Sequence, residues 1–240
     1  MQLPCKYERM KYLFIALVIA AGFEIISSVF LAYSSYELFL FVNREEAYRD
    51  IVHFNLLGFN VSYKTANLVR VVTFIAFNLL AIAMLYLLAK NARVMSKVKV
   101  SYTLPSVFYC FLVPFFNMYK PSSVVSEVSE RSHTTDGYTF RPQNIFLIRV
   151  WFTVYFIMCL SIAMMVKYSL KTTYLEDINI YLYLKMISNS LFVFEILLLV
   201  SVLTSIQRAQ NYHALKYQEI DPNDMHEDID LGEGFDMDRI

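Results

Sequence analysis

The apolar run that opens at Tyr12 does not end until Val42, well past the ~20 residues that carry a helix across a bilayer. Three further runs behave alike: Asn67 to Leu88, Asn144 to Lys167 and Leu184 to Ile206. In hydrocarbon every backbone N–H and C=O must find its partner within the protein, so runs of this length are read as helices. Composition agrees. A chain of 240 residues that is 57% hydrophobic, with a mean hydropathy of +0.44 and only five glycines, is too apolar for a water-soluble domain. The expectation is an all-α membrane protein built on a bundle of four transmembrane helices, with an integral membrane domain over residues 1–210 and an acidic, disordered tail over 211–240.

Residues 101–132, SYTLPSVFYCFLVPFFNMYKPSSVVSEVSERS, do not fit that pattern. An apolar stretch is bracketed and interrupted by Pro105, Pro114 and Pro121, with Asn117 between the last two. Each proline removes a donor and disfavours helix at the residue before it. Broken backbone at membrane depth survives only where protein or water satisfies it, so the stretch is expected to be a re-entrant element cradled by other helices. The alternative is a fifth, proline-kinked span. Pro121 then suits the first turn of a new helix, on which Val124, Val125 and Val128 share one side and Ser123, Ser126, Glu127 and Glu130 the other. That pattern predicts a cytoplasmic amphipathic helix at the membrane surface.

The run from Pro105 through Val113-Pro114, Asn117, Lys120-Pro121 and Glu127 resembles the signature of the bacterial domain-of-unknown-function family 4328. Tyr86 with Asn91-Ala92, Trp151, and Gln207-Arg208 extend the likeness over roughly residues 80–210. The resemblance implies a multi-span bacterial inner-membrane protein and supplies no activity.

Charge sets the orientation. If the central stretch returns to the face it left, twelve basic residues between Lys6 and Lys216 lie on one side and six on the other; if it crosses, the division is ten to eight. The positive-inside bias therefore favours four spans with both termini cytoplasmic. Lys90, Arg93, Lys97 and Lys99 crowd the end of the second run and are expected to contact anionic lipid. Ahead of Tyr12, Lys6, Arg9 and Lys11 outweigh Glu8. A cleaved leader ending near Ala20 is the alternative there, but the length of the run favours an uncleaved anchor.

Polar groups at bilayer depth are costly and draw attention. Glu24 shares a helical face with Ser27, Ser28 and Ser35, and Glu195 lies deep in the last run with Ser188 on its face. Arg70, Arg149 and Lys185 stand near the ends of their runs, and Asn78 is placed to hydrogen-bond between helices. Each has a plain packing explanation beside the functional one.

No catalytic arrangement is present: no metal-binding His pair, nucleophile elbow, phosphate loop or Cys-x-x-Cys. His53, His133, His213 and His226 are scattered over loops and tail, and Cys5, Cys110 and Cys159 outline no disulfide framework. Zero net charge gives no field for nucleic acid. The tail holds nine acids from Glu219 to Asp238 without the spacing of a calcium loop. These features point to a non-enzymatic membrane module without cofactor, binding or regulating a protein partner through its cytoplasmic helix and acidic tail. The competing expectation is a small transporter or channel in which Glu24 and Glu195 face a pathway.

Overall fold

The computed structural model describes residues 7–43, 53–56, 59–95, 100–112, 120–135, 138–139, 145–170 and 175–219. In chain order the elements are α1 (Tyr7–Val42), a hairpin of β1 (His53–Leu56) and β2 (Phe59–Ser62), α2 (Tyr63–Met95), α3 (Leu104–Leu112), α4 (Lys120–His133), a hairpin of β3 (Thr134–Thr135) and β4 (Tyr138–Thr139), α5 (Ile145–Ser169) and α6 (Leu175–Glu219). Between the first two spans lies the β1–β2 ladder, with His53 opposite Ser62 and Leu56 opposite Phe59.

Among the described residues four helices are long and apolar enough to cross a membrane, over Met10–Leu40, Thr65–Met95, Ile145–Ser169 and Leu175–His213. Large side chains such as Phe23, Ile26, Leu68, Phe146 and Phe194 remain exposed on them, as they do when lipid rather than water surrounds a bundle. The protein is thus a multi-pass membrane protein with an all-α, four-span bundle.

The helices alternate in direction. Asn91 near the end of α2 bonds to Met10 at the start of α1 and to Gln210 late in α6, while at the opposite end Asn43 after α1 bonds to Asn179 early in α6. Helix α5 runs against α6, with Trp151 of its first turns beside Glu195 and Ser161 beside Ser188. The last helix is longer than its apolar core. It begins at Leu175, where Glu176 and Asp177 sit in the first turn and favour the positive end of the helix dipole. It also runs past Arg208 to Glu219, nine residues into the segment read as a disordered tail.

Helices α3 and α4 fill the end of the bundle where α2 stops and α5 begins. Thr103 and Ser106 cap α3 reciprocally, each side-chain oxygen accepting from the other's backbone N–H, and Pro105 stands in the first turn, where its missing donor costs nothing. Tyr86 of α2 meets Phe108 of α3 with ring centroids 5.0 Å apart. Nine helical residues reach only about 14 Å, less than half a hydrocarbon core. Pro114 and Asn117 lie outside the described residues.

On α4, Pro121, Val124, Val125 and Val128 are all buried. Those valines join Leu85, Leu88, Ala92, Trp151, Leu203 and Ile206 in one apolar core. The helix therefore spends its apolar side on the bundle itself.

Candidate functional site

The deepest polar group of α1 is matched from α2. Glu24 is fully buried, and its Oε1 forms an ion pair with the guanidinium of Arg70. Thr73, one turn beyond Arg70, donates from Oγ1 to Glu24 Oε2 at 2.5 Å, and Ser27 Oγ lies 3.0 Å from Thr73 Oγ1. Arg70 is held from the other side by α6. Its Nε donates to Asn189 Oδ1 at 3.4 Å, and its guanidinium lies 4.2 Å from the Phe192 ring centroid and 5.4 Å from that of Phe74. Aromatic faces favour a cation stripped of water. Asn189 in turn donates to the backbone carbonyl of Lys185, whose Nζ donates to Asn67 Oδ1 at 3.0 Å and to Tyr181 at 3.4 Å. Three of the four spans are thus tied by one polar chain in which each charge has an assigned partner.

Glu195 stands apart from this network. Trp151 Nε1 donates to its Oε1 at 2.9 Å, and the carboxyl group borders a cavity of about 300 Å³ between α2, α5 and α6. Glu24 and Glu195 thus have separate hydrogen-bond and ion-pair partners. The expectation for Asn78 is corrected. Its Nδ2 donates to Phe74 O of its own helix at 2.8 Å rather than across helices, and the residue borders the same cavity. Arg149 is exposed and forms no ion pair with an acid among the described residues.

A second polar cluster, at the α4 end, was not foreseen. Gln210 Nε2 donates to Leu88 O and to Ser132 Oγ, both at 2.8 Å, and its Oε1 accepts from Asn91 at 3.2 Å. Buried His133 bonds through Nδ1 to Ser129 O and lies 3.4 Å from Ser205 through Nε2. Tyr102 donates to Ala89 O at 2.9 Å, with its phenol pushed up in pKa by burial and then by the charge of Glu127. Glu127, the acid of the proline motif, accepts from the backbone N–H of Ser101 at 2.7 Å and from its hydroxyl, pinning the start of the α3 segment to α4. Of the remaining motif residues, Pro121 is buried under α4, while Lys120 and Pro105 are exposed. Lys90 is half-buried and Arg93 exposed at the end of α2; Lys97 and Lys99 lie outside the described residues. The signal that was available is the series Gln207, Gln210 and His213 on one side of α6, all buried, a polar stripe at helical spacing that marks a contact rather than a solvated end.

Among the described residues no three of His, Cys, Asp or Glu come together as a metal would require. A search of curated proteins and of solved structures found no match. The family model of the Domain of unknown function (DUF4328) matches residues 53–210, from the β1 strand to the glutamine that closes the polar cap. The chain belongs to that family.

Proposed function

We propose that the protein is a non-enzymatic module of the bacterial inner membrane that holds a protein partner at its cytoplasmic end. The observation that carries this reading is the closure of Glu24 on Arg70, Thr73 and Asn189-held Arg70. A carboxylate serving a pathway needs access to it, whereas this one is fully buried and neutralised in place. The basic residues gathered where α1 starts and α2 and α6 finish support an orientation with both termini in the cytoplasm. Lys90 and Arg93, with Lys97 and Lys99, meet anionic headgroups there. Helix α3, with Phe108 and Tyr109 exposed, enters the lipid and the chain returns to the same face. Ser123 and Glu130 on the outer side of α4, together with the acidic residues after Glu219, offer the partner surface. The second reading, a small transporter, draws on Glu195 beside its cavity.

Photo-crosslinking in cells separates the two. A photoreactive residue at Ser123 or Glu130 is expected to give one discrete protein adduct, weakened by deleting residues 220–240, whereas lipid-facing Val72 gives none. Lipid adducts alone at all three positions would overturn the reading. So would a pH-driven flux by purified protein in liposomes that Glu24→Gln or Glu195→Gln abolishes.

A further inference from the structure

The cavity beside Glu195 has an unusual division of labour. Its walls are largely apolar, with Phe74, Ile82, Leu85, Phe192 and Leu199 among them, and Asn78, Tyr155, Cys159 and Glu195 bring polar atoms to them. Asn78 and Glu195 present spare acceptors. The amide nitrogen of Asn78 is committed to Phe74 O, which leaves its Oδ1 without a donor among the described residues. Glu195 Oε1 already receives the Trp151 indole, which leaves Oε2 likewise open, on a side chain only 6% exposed. Glu195 is buried and Asn78 half-buried, and an acceptor facing an apolar cavity without a donor costs free energy until one arrives. The cavity sits near the middle of the Thr65–Met95 and Leu175–His213 spans, far from the headgroup region where water is plentiful.

We infer that this cavity is a binding site for a small lipid-soluble molecule that carries a hydrogen-bond donor, an alcohol or amine head on an apolar body. An amine head can donate to both Glu195 Oε2 and Asn78 Oδ1, an alcohol with its one hydrogen to either, and the body lies along the aromatic and aliphatic walls. About 300 Å³ lies at the lower end of small-molecule pockets, and a cavity half that size already admits benzene. A saturated acyl chain fills the same space but leaves both acceptors unmet, so the polar pair selects against it by the asymmetry that makes unpaired buried groups expensive. The inference is independent of the partner reading, since it concerns the membrane interior rather than α4.

The chain contains a single tryptophan, and Trp151 is bonded to the acid at the cavity edge, so its fluorescence reports occupancy without a label. Full-length protein in nanodiscs is titrated with bromohexanol and, separately, with bromohexane, which lacks the donor; concentrations are corrected for partition into the lipid. Saturable bromine quenching is expected with the alcohol, half-complete at roughly a tenfold lower concentration than with the bromoalkane, the ratio that one net hydrogen bond supplies. Asn78→Leu combined with Glu195→Met keeps the walls apolar and removes both acceptors, and is expected to erase most of that ratio. Ala81→Phe fills the cavity and is expected to abolish saturation for both probes. Equal quenching by the two probes, which is the outcome for a site that holds only acyl chains, overturns the inference. Quenching that never saturates, or a ratio unchanged in the double variant, does so as well. Circular dichroism of each variant identifies one that fails to fold, and bromohexanol against bromohexane on the native protein decides the matter without either variant.

Discussion

Glu24 of α1 and Arg70 of α2 face each other inside the bundle as a buried ion pair, with Thr73 donating to the same carboxylate and Asn189 accepting from the same guanidinium. A pair of this kind is poor evidence for net stability, because both ions lose water to form it, yet removing one partner alone leaves a charge with nothing to meet it. Glu24→Ala or Arg70→Ala is therefore expected to destabilise the protein by about 3 to 5 kcal/mol, read as a lower Tm in detergent. The double substitution is expected to recover much of that loss. A double variant as unstable as the sum of the singles would show that the two groups act separately.

Glu24 was visible in the sequence because an acid in a long apolar run has few bland explanations. Its partner was not, because which residue of α2 stands opposite is set by how two helices slide and rotate against each other, and neither segment encodes that alone. Asn78 illustrates the same gap from the other side: it has the chemistry of an interhelical donor, but its amide reaches the carbonyl one turn back. The four spans were legible from apolar length, and the α4 face from three valines at helical spacing. The ends of α6 were not, since the apolar run covers only Leu184 to Ile206, with Glu176, Asp177 and Asn179 polar before it and Gln207, Gln210 and His213 polar after it. In the structure the first group sits near a helix N-terminus, and Gln210 of the second turns inward to meet α2 and α4.

Trp151 and Glu195 join α5 to α6 through one hydrogen bond at 2.9 Å. Trp151→Phe removes the donor and leaves a void beside a fully buried position. Interhelical hydrogen bonds within membranes contribute about 1 to 2 kcal/mol at the upper end, and the void adds to that loss. Glu195→Gln keeps an acceptor in place and is expected to cost less than half as much. Circular dichroism during stepwise addition of SDS gives both values, the tryptophan signal being absent from one variant. Equal losses in the two would mean that the acid itself, rather than the indole it receives, carries the contact.

Tyr102 gives the fold an alkaline limit. Its phenol donates to Ala89 O, which only the neutral form can do, and burial followed by the charge of Glu127 raises its pKa. The folded state thus holds the proton more tightly than the unfolded chain. Stability from this group is fully present below the ordinary tyrosine value of about 10 and declines as pH rises through and above it. Tyr102→Phe is expected to lower Tm at neutral pH by the equivalent of about 1 kcal/mol and to flatten the fall in Tm between pH 9 and pH 11, a window set about one unit either side of that value. An unchanged alkaline slope in the variant would assign the limit to another group.

Gln210 tests whether α4 is a fixed part of the bundle or a separable element. Its amide serves α2 through Leu88 O and Asn91 and α4 through Ser132 at once, so it links three helices where α2 and α6 finish. Gln210→Leu preserves side-chain bulk and removes all three bonds. The Asn91 amide keeps Met10 Sδ and the Ser132 hydroxyl keeps Val128 O, so the cost is that of the lost bonds, about 1 kcal/mol each. Because the apolar contacts of Val124, Val125 and Val128 remain, the spans themselves should keep their Tm within a few degrees. The loss should instead fall on α4 docking. Hydrogen exchange over Lys120–His133 is expected to accelerate at least tenfold, with Leu175–Ser205 unaffected, since local opening free energies differ between parts of one structure. Exchange that rises equally in both segments would mean that the glutamine holds the whole bundle together, and that α4 cannot loosen without it.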